Sequence, residues 1–109
     1  MSVNSLMDAA VFAALSGRGH RCVGRQALIA FDKELEARNA WSDIVETFEI
    51  SNGAEIPRIE LSIYGDHGSY DLSVHERRKV AAERLATMLA AIDTEAAEFC
   101  FYVWPDGDC

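Results

Sequence analysis

The sequence lacks any apolar run close to the roughly 20 residues that a transmembrane helix needs. Its first four residues also lack the basic segment of a secretion signal, and Asp8 interrupts the apolar run that follows. Only two prolines and seven glycines are present, which leaves no room for a long linker. The 109 residues, half of them apolar, are therefore predicted to form a single cytoplasmic domain over residues 1–109.

Cysteine is scarce, and the chain has only Cys22, Cys100 and Cys109. An odd number of cysteines without C-x-x-C spacing fits reduced thiols better than a disulfide framework. The motifs H-E-x-x-H and G-x-S-x-G are both absent from the sequence. We therefore predict no cofactor, no metal and no enzymatic activity.

Basic side chains are outnumbered, and the formal net charge is −8. Residues 43–72 carry seven acidic side chains and one basic side chain, and residues 94–109 carry four acidic side chains and none that is basic. A general nucleic-acid binder needs a basic footprint that displaces counterions from phosphate, so direct nucleic-acid binding is not expected. An acidic surface instead favours a basic protein partner, mainly through association rate and specificity.

The clearest fold signal lies between Trp41 and Leu72, which predicts a three-stranded antiparallel meander. Asn52-Gly53 is a strong hairpin signal, because both residues tolerate positive φ angles. The alternation in the strand at about 56–64 predicts that Ile59, Leu61 and Ile63 face inward. The strand at about 43–51 is predicted to turn Phe48 and Ile50 inward and Thr47 and Glu49 outward. The third strand, at about 69–73, is predicted to turn Tyr70 and Leu72 inward and Asp71 outward.

Three helices are predicted, at about 5–16, 26–39 and 73–92. The second has a narrow apolar seam of Leu28, Phe31 and Leu35. The third begins with a Ser73–Glu76 capping box, and its apolar stripe is Ala81, Leu85, Met88, Leu89 and Ile92.

A last strand at about 98–104 is predicted to turn Phe99, Phe101 and Val103 inward and to stop at Pro105. The predicted fold class is α+β, with two layers and helices on one face of an antiparallel four-stranded sheet. The order of elements is α-α-β-β-β-α-β.

The first candidate site is the outer face of the sheet. Large rigid aromatic side chains in an acidic surround have the composition of a binding hot spot. The alternatives are that a dimer partner or the first two helices cover these aromatic side chains. The predicted partner-binding residues are Glu49, Glu60, Tyr64, Asp71, Tyr102 and Trp104.

Three further patterns suggest sites. A basic cluster of His75, Arg77, Arg78 and Lys79 lies at a helix start, where the macrodipole disfavours cations. The basic, glycine-rich loop Gly17–Arg25 has the G-x-x-x-x-G spacing but lacks the following Lys and Ser/Thr of a phosphate loop. A metal site from Asp66, His67, Asp71 and His75 has no supporting spacing. Solvated loops, ion pairs and capping explain all three without a ligand.

In general character alone, small, strongly acidic and without motifs, the chain is similar to inhibitors encoded by phages and mobile elements, such as anti-CRISPR and toxin-immunity proteins. No specific residue carries that similarity. The leading hypothesis is an inhibitor that masks the basic surface of a partner, such as a nucleic-acid-binding protein or complex, as a nucleic-acid mimic. The rivals are a small-molecule or phosphate-binding protein or small enzyme using the Gly17–Arg25 loop, and a homodimeric structural or adaptor subunit.

Overall fold

The computed structural model describes residues 23–65 and 72–107. In chain order these form helix α1 (Arg25–Ala37), strands β1 (Ala40–Ser51) and β2 (Ala54–Pro57), a 3-10 turn (Ile59–Leu61), helix α2 (Val74–Ile92) and strand β3 (Glu98–Gly107). The fold is α+β, as predicted. The sheet formed by this part of the chain has three antiparallel strands in the order β2-β1-β3, and not the four predicted. The predicted helix at 5–16 and most of the strand at 69–73 lie outside the described ranges.

The hairpin between β1 and β2 turns at Asn52-Gly53, as predicted. Both residues have positive φ angles, 52° for Asn52 and 80° for Gly53. A two-residue turn of this kind matches the right-handed twist of its strands. Ser51 consequently pairs with Ala54, which fixes the register of the hairpin.

The predicted second strand is interrupted after Pro57. The backbone makes the 3-10 turn and returns to β1 only at Ile63, whose backbone pairs with that of Val45. This excursion leaves Ile59 68% exposed, so its predicted inward position is wrong, whereas Leu61 and Ile63 are buried as predicted. Pro57 lies opposite Phe48, and the Arg58 N–H still donates a 2.9 Å hydrogen bond to the Thr47 carbonyl oxygen before the backbone leaves β1.

Strand β1 has the opposite facing from the one predicted. Val45 pairs with Val103 and Thr47 with Phe101, and all four residues are buried on the helix side of the sheet. Thr47 can face the core because its hydroxyl donates a 2.7 Å hydrogen bond to the Leu61 carbonyl oxygen. A buried polar group with a hydrogen-bond partner costs little. The register shifts between Ser42 and Ile44, and from Val45 onward the odd-numbered residues of β1 face inward.

Strand β3 faces as predicted, with Phe99, Phe101 and Val103 buried. It does not stop at Pro105, because pairing with β1 continues through Pro105, Asp106 and Gly107. Cys100 is buried and disulfide-bonded, so the expectation of a reduced thiol is wrong for this residue. Its partner lies outside the described residues.

The core lies between the sheet and both helices. Leu28, Phe31 and Leu35 of α1 are fully buried, which confirms the predicted seam. The Ser73 hydroxyl accepts the Glu76 backbone N–H at 3.1 Å and begins α2 as predicted. From the predicted stripe of α2, the core contains Leu85, Met88 and Ile92, and Leu89 packs against them partly buried. No helix within residues 23–65 and 72–107 is long and apolar enough to cross a membrane.

Candidate functional site

The outer face of the sheet, which faces away from both helices, presents aromatic and acidic side chains together. Strand pairing places Trp104 opposite Ile44, Tyr102 opposite Glu46 and Cys100 opposite Phe48. Directly paired side chains share one face of an antiparallel sheet. Because the neighbouring residues Val45, Thr47, Phe101 and Val103 point into the core, this second set points away from it.

A shallow, open cleft of about 280 Å³ lies on this face. The Phe48 and Tyr102 rings meet edge to face, with centroids 5.2 Å apart and ring planes at 78°. The Tyr102 hydroxyl donates a 2.7 Å hydrogen bond to Glu55 Oε1, which ties β3 across β1 to the edge strand β2. We name this feature the outer-face cleft; its lining residues are Glu46, Phe48, Glu55, Tyr102 and Trp104.

Negative charge dominates the electrostatics of the outer-face cleft. The hydrogen bond to the Glu55 carboxylate raises the pKa of Tyr102, and burial and the Glu55 charge raise it further. Within residues 23–65 and 72–107, no basic side chain forms an ion pair with Glu46 or Glu55. The cleft therefore offers two carboxylates that the described part of the chain does not neutralise.

The predicted partner-binding residues do not form one surface. Tyr102 and Trp104 line the outer-face cleft, but Glu49 pairs with Phe99 on the opposite face of the sheet. There the Arg58 guanidinium, 5.7 Å from the centre of the Phe99 ring, forms ion pairs with three carboxylates. These are Glu49, Glu60 at 3.1 Å and Glu95 at 3.0 Å. Glu49 and Glu60 are thus paired with an arginine of the chain itself.

Tyr64 lies elsewhere, and Asp71 is outside the described residues. Tyr64 is 49% exposed and lines a larger groove of about 690 Å³ between the segment after the 3-10 turn and α2. The groove has an apolar floor that includes Leu61, Ile63 and Met88 and a polar rim that includes Glu60 and Glu83. Its size falls in the range of about 300–1,000 Å³ that small-molecule sites occupy.

One residue of the basic cluster at the start of α2, Arg78, has a structural role. Arg78 donates hydrogen bonds to the Asn39 side chain at 3.2 Å and to the Glu36 carbonyl oxygen at 3.3 Å. A cation at the end of α1 complements that helix's dipole, although it opposes the dipole of α2. His75, Arg78 and Lys79 also border a small cleft with Asp32, and burial raises the pKa of the Asp32 carboxyl.

Few residues of the remaining candidate sites lie in the described ranges. Of the Gly17–Arg25 loop, only residues 23–25 are described. Arg25 begins α1 and is held by both Asp93 carboxylate oxygens, at 2.9 and 2.8 Å. Asp66, His67 and Asp71 are outside the described ranges. In the ranges that are described, no group of three or more His, Cys, Asp or Glu side chains could hold a metal ion.

Three residues of the outer-face cleft were missed from the sequence: Glu46, Phe48 and Glu55. Glu46 and Phe48 were missed because β1 was given the opposite facing. The alternation in β3 places Phe101 and Val103 on the inner face. Pairing Thr47 with Phe101 and Val45 with Val103 would have placed Glu46 and Phe48 on the outer face. Glu55 follows from the hairpin register, because it lies opposite Ile50.

The fold and the outer-face cleft define an acidic α+β protein. No protein-family model, curated protein or solved structure matches this chain.

Proposed function

We propose that the protein is a small acidic protein-binding module that docks a basic partner through the outer face of its sheet. The observation that carries the proposal is the outer-face cleft, where aromatic rings border carboxylates that have no basic partner in the described part of the chain. Aromatic side chains supply rigid contact area at interfaces, and acidic groups around them attract and orient a basic surface.

The biological role we propose is inhibition, in which the acidic face covers the basic, nucleic-acid-binding surface of its partner as a nucleic-acid mimic. The net charge of −8 supports this role, because charge complementarity speeds encounter with a basic groove. An inhibitor of the anti-CRISPR or toxin-immunity kind remains the leading form of the proposal. A cytoplasmic location stays a prediction. The disulfide at Cys100 is an observation against it, because disulfides are more typical of oxidising compartments.

A tagged pull-down from lysate of the native host, at low and at moderate salt, tests the proposal. The wild type should retain a basic protein in stoichiometric amount, less of it at the higher salt. Trp104→Ala should lose that protein with an unchanged circular dichroism spectrum. Glu83→Gln, an exposed acidic site on α2, should retain it. Equal capture by Trp104→Ala would place the interface elsewhere.

A second candidate function is small-molecule binding, which the 690 Å³ groove beside α2 favours through its size and apolar floor. A ligand thermal-shift screen tests it, with Thr87→Trp to fill the groove rim and abolish any stabilisation. The homodimer alternative is tested by light scattering, which should give a monomer mass if the outer face is kept for another protein.

A further inference from the structure

We propose that the outer-face cleft receives the guanidinium group of one arginine side chain from the protein partner. This inference rests on the proposed function and specifies the chemistry of its central contact. The two carboxylates of the cleft set the charge of its occupant. Glu55 is held in place by the Tyr102 hydroxyl, which bonds one of its oxygens. An ionised carboxylate has about four lone-pair sites, so Glu55 can accept further hydrogen bonds while that bond persists. Glu46 lies directly opposite Tyr102 in the sheet.

The rings of the cleft select a cation that is also flat. Phe48 and Tyr102 stand at 78° to each other, and Trp104 lines the same cleft. A guanidinium stacks on aromatic faces and presents five N–H donors in a rigid plane, whereas an ammonium is a compact and strongly hydrated charge. A site that combines ring surfaces with carboxylates therefore favours arginine over lysine.

The shape of the cleft suits one anchored side chain better than a separate ligand. Its volume of about 280 Å³ is close to the lower end of the range of about 300–1,000 Å³ for small-molecule sites, and it is shallow. A shallow cleft buries little of a free molecule, but it can hold a side chain whose backbone is anchored by the surrounding interface. Arginine is enriched among the residues that dominate binding energy at interfaces.

The same chemistry already exists inside this protein. On the opposite face, the Arg58 guanidinium lies over the Phe99 ring and forms ion pairs with Glu49, Glu60 and Glu95. That cluster combines an aromatic ring with carboxylates and is occupied by the chain's own arginine. The outer-face cleft combines the same two components, aromatic rings and carboxylates.

The test uses three peptides with blocked ends: Gly-Arg-Gly, Gly-Lys-Gly and Gly-citrulline-Gly. Citrulline has nearly the shape of arginine without its charge. Each peptide is titrated into the full chain while the amide signal of Tyr102 and the indole signal of Trp104 are followed by NMR. We expect saturable shifts with the arginine peptide, about threefold weaker binding of the lysine peptide and at least tenfold weaker binding of the citrulline peptide. Equal binding of all three peptides, or no shift at either signal, would overturn the inference.

Substitutions of the two cleft carboxylates test whether the arginine peptide binds in the outer-face cleft. Glu46→Gln and Glu55→Gln should each weaken binding of the arginine peptide about fivefold, while Glu83→Gln should leave it unchanged. Both cleft substitutions lie on exposed or half-buried side chains, so the fold should tolerate them. Equal weakening by Glu83→Gln would show that net charge alone attracts the peptide, which contradicts the inference.

The peptide titrations and the pull-down can each fail without the other. If the captured partner needs Trp104 but the arginine and citrulline peptides bind alike, the docking proposal stands and the arginine inference fails. If the arginine peptide binds selectively and no partner is captured, the inference about the cleft's chemistry stands and the proposed function fails.

Discussion

The Thr47 hydroxyl donates a hydrogen bond to the Leu61 carbonyl oxygen across 2.7 Å, from a side chain that is only 1% exposed. The Thr47 backbone N–H also bonds the Ser62 hydroxyl at 2.9 Å, and its carbonyl oxygen accepts the Arg58 N–H at 2.9 Å. A single residue of β1 therefore anchors both ends of the 3-10 turn. These bonds replace the ladder that the sheet loses after Pro57.

Thr47→Val should lower the free energy of unfolding by about 1–3 kcal/mol, because the buried Leu61 carbonyl loses its donor. Thr47→Ser keeps the hydroxyl and should lose less than Thr47→Val. Urea unfolding followed by circular dichroism measures both. Thr87→Val, at an exposed threonine of α2, is the control and should change stability by less than about 0.5 kcal/mol. Equal stability of the wild type and Thr47→Val would contradict this role of the hydroxyl.

Leu85→Ala should cost about 2–5 kcal/mol, because Leu85 is only 5% exposed and its removal leaves a cavity in the core. Leu89 is only partly buried, so Leu89→Ala should cost clearly less. The same unfolding measurement compares them. A larger loss at Leu89 than at Leu85 would contradict the packing of α2 on the sheet.

The Asp32 carboxyl gives a pH-dependent contribution to stability. Burial raises the pKa of Asp32 above its usual 3.8, against a 2.9 Å hydrogen bond from the Ser42 hydroxyl that lowers it. A pKa raised in the folded state favours folding below the unfolded value, and that contribution is lost as the pH rises through the folded pKa. Asp32→Asn should therefore gain stability relative to the wild type between pH 4 and pH 7.

Unfolding of both proteins at several pH values checks this, and carboxyl NMR titration locates the Asp32 pKa directly. Ser42→Ala should raise the pKa further, because the hydroxyl that stabilises the ionised form is removed. A stability difference that is constant with pH, or a lowered pKa in Ser42→Ala, would count against the assignment.

Glu55→Gln should lower the pKa of Tyr102 towards the usual value of the phenol. A neutral glutamine oxygen accepts a weaker hydrogen bond than a carboxylate and carries no charge, so the largest cause of the raised pKa is reduced and the charge of Glu55 is removed. Because the folded-state pKa is raised, the stabilisation is present below the usual value of 10.0 and is lost as the pH rises above it. Tyrosinate absorbance measures the titration, and Tyr102→Phe identifies its signal among the three tyrosines. An unchanged titration curve in Glu55→Gln would mean that the pair does not form in solution.

Denatured, unreduced protein should expose one free thiol of the three, because Cys100 is disulfide-bonded. Thiol titration counts it, and peptide mapping identifies the cysteine joined to Cys100. Reduction should lower the melting temperature, since a disulfide restricts the unfolded chain. Three free thiols in protein purified without reductant would contradict the bond.

Local signals allowed most of the helices and the hairpin to be predicted. The Leu28, Phe31 and Leu35 seam, the Ser73 cap and the Asn52-Gly53 turn each depend on neighbouring residues alone. The facing of β1 could not be read in the same way, because Thr47 is polar by type and is buried only through a hydrogen bond to Leu61, 14 positions away. The same difference applies to the outer-face cleft. Tyr102 and Trp104 were placed on the correct face of β3, whereas Glu46 and Phe48 were missed because β1 was given the wrong facing.

The short edge strand β2 also bears on the behaviour of the protein at high concentration. It has only four residues, all exposed, and it ends at a proline that cannot donate a backbone hydrogen bond. A second molecule that tried to extend the sheet along this edge would find few groups to pair with, and natural sheets resist aggregation by this means. The interruption after Pro57 thus limits edge-to-edge pairing between copies of a sheet that is rich in aromatic side chains.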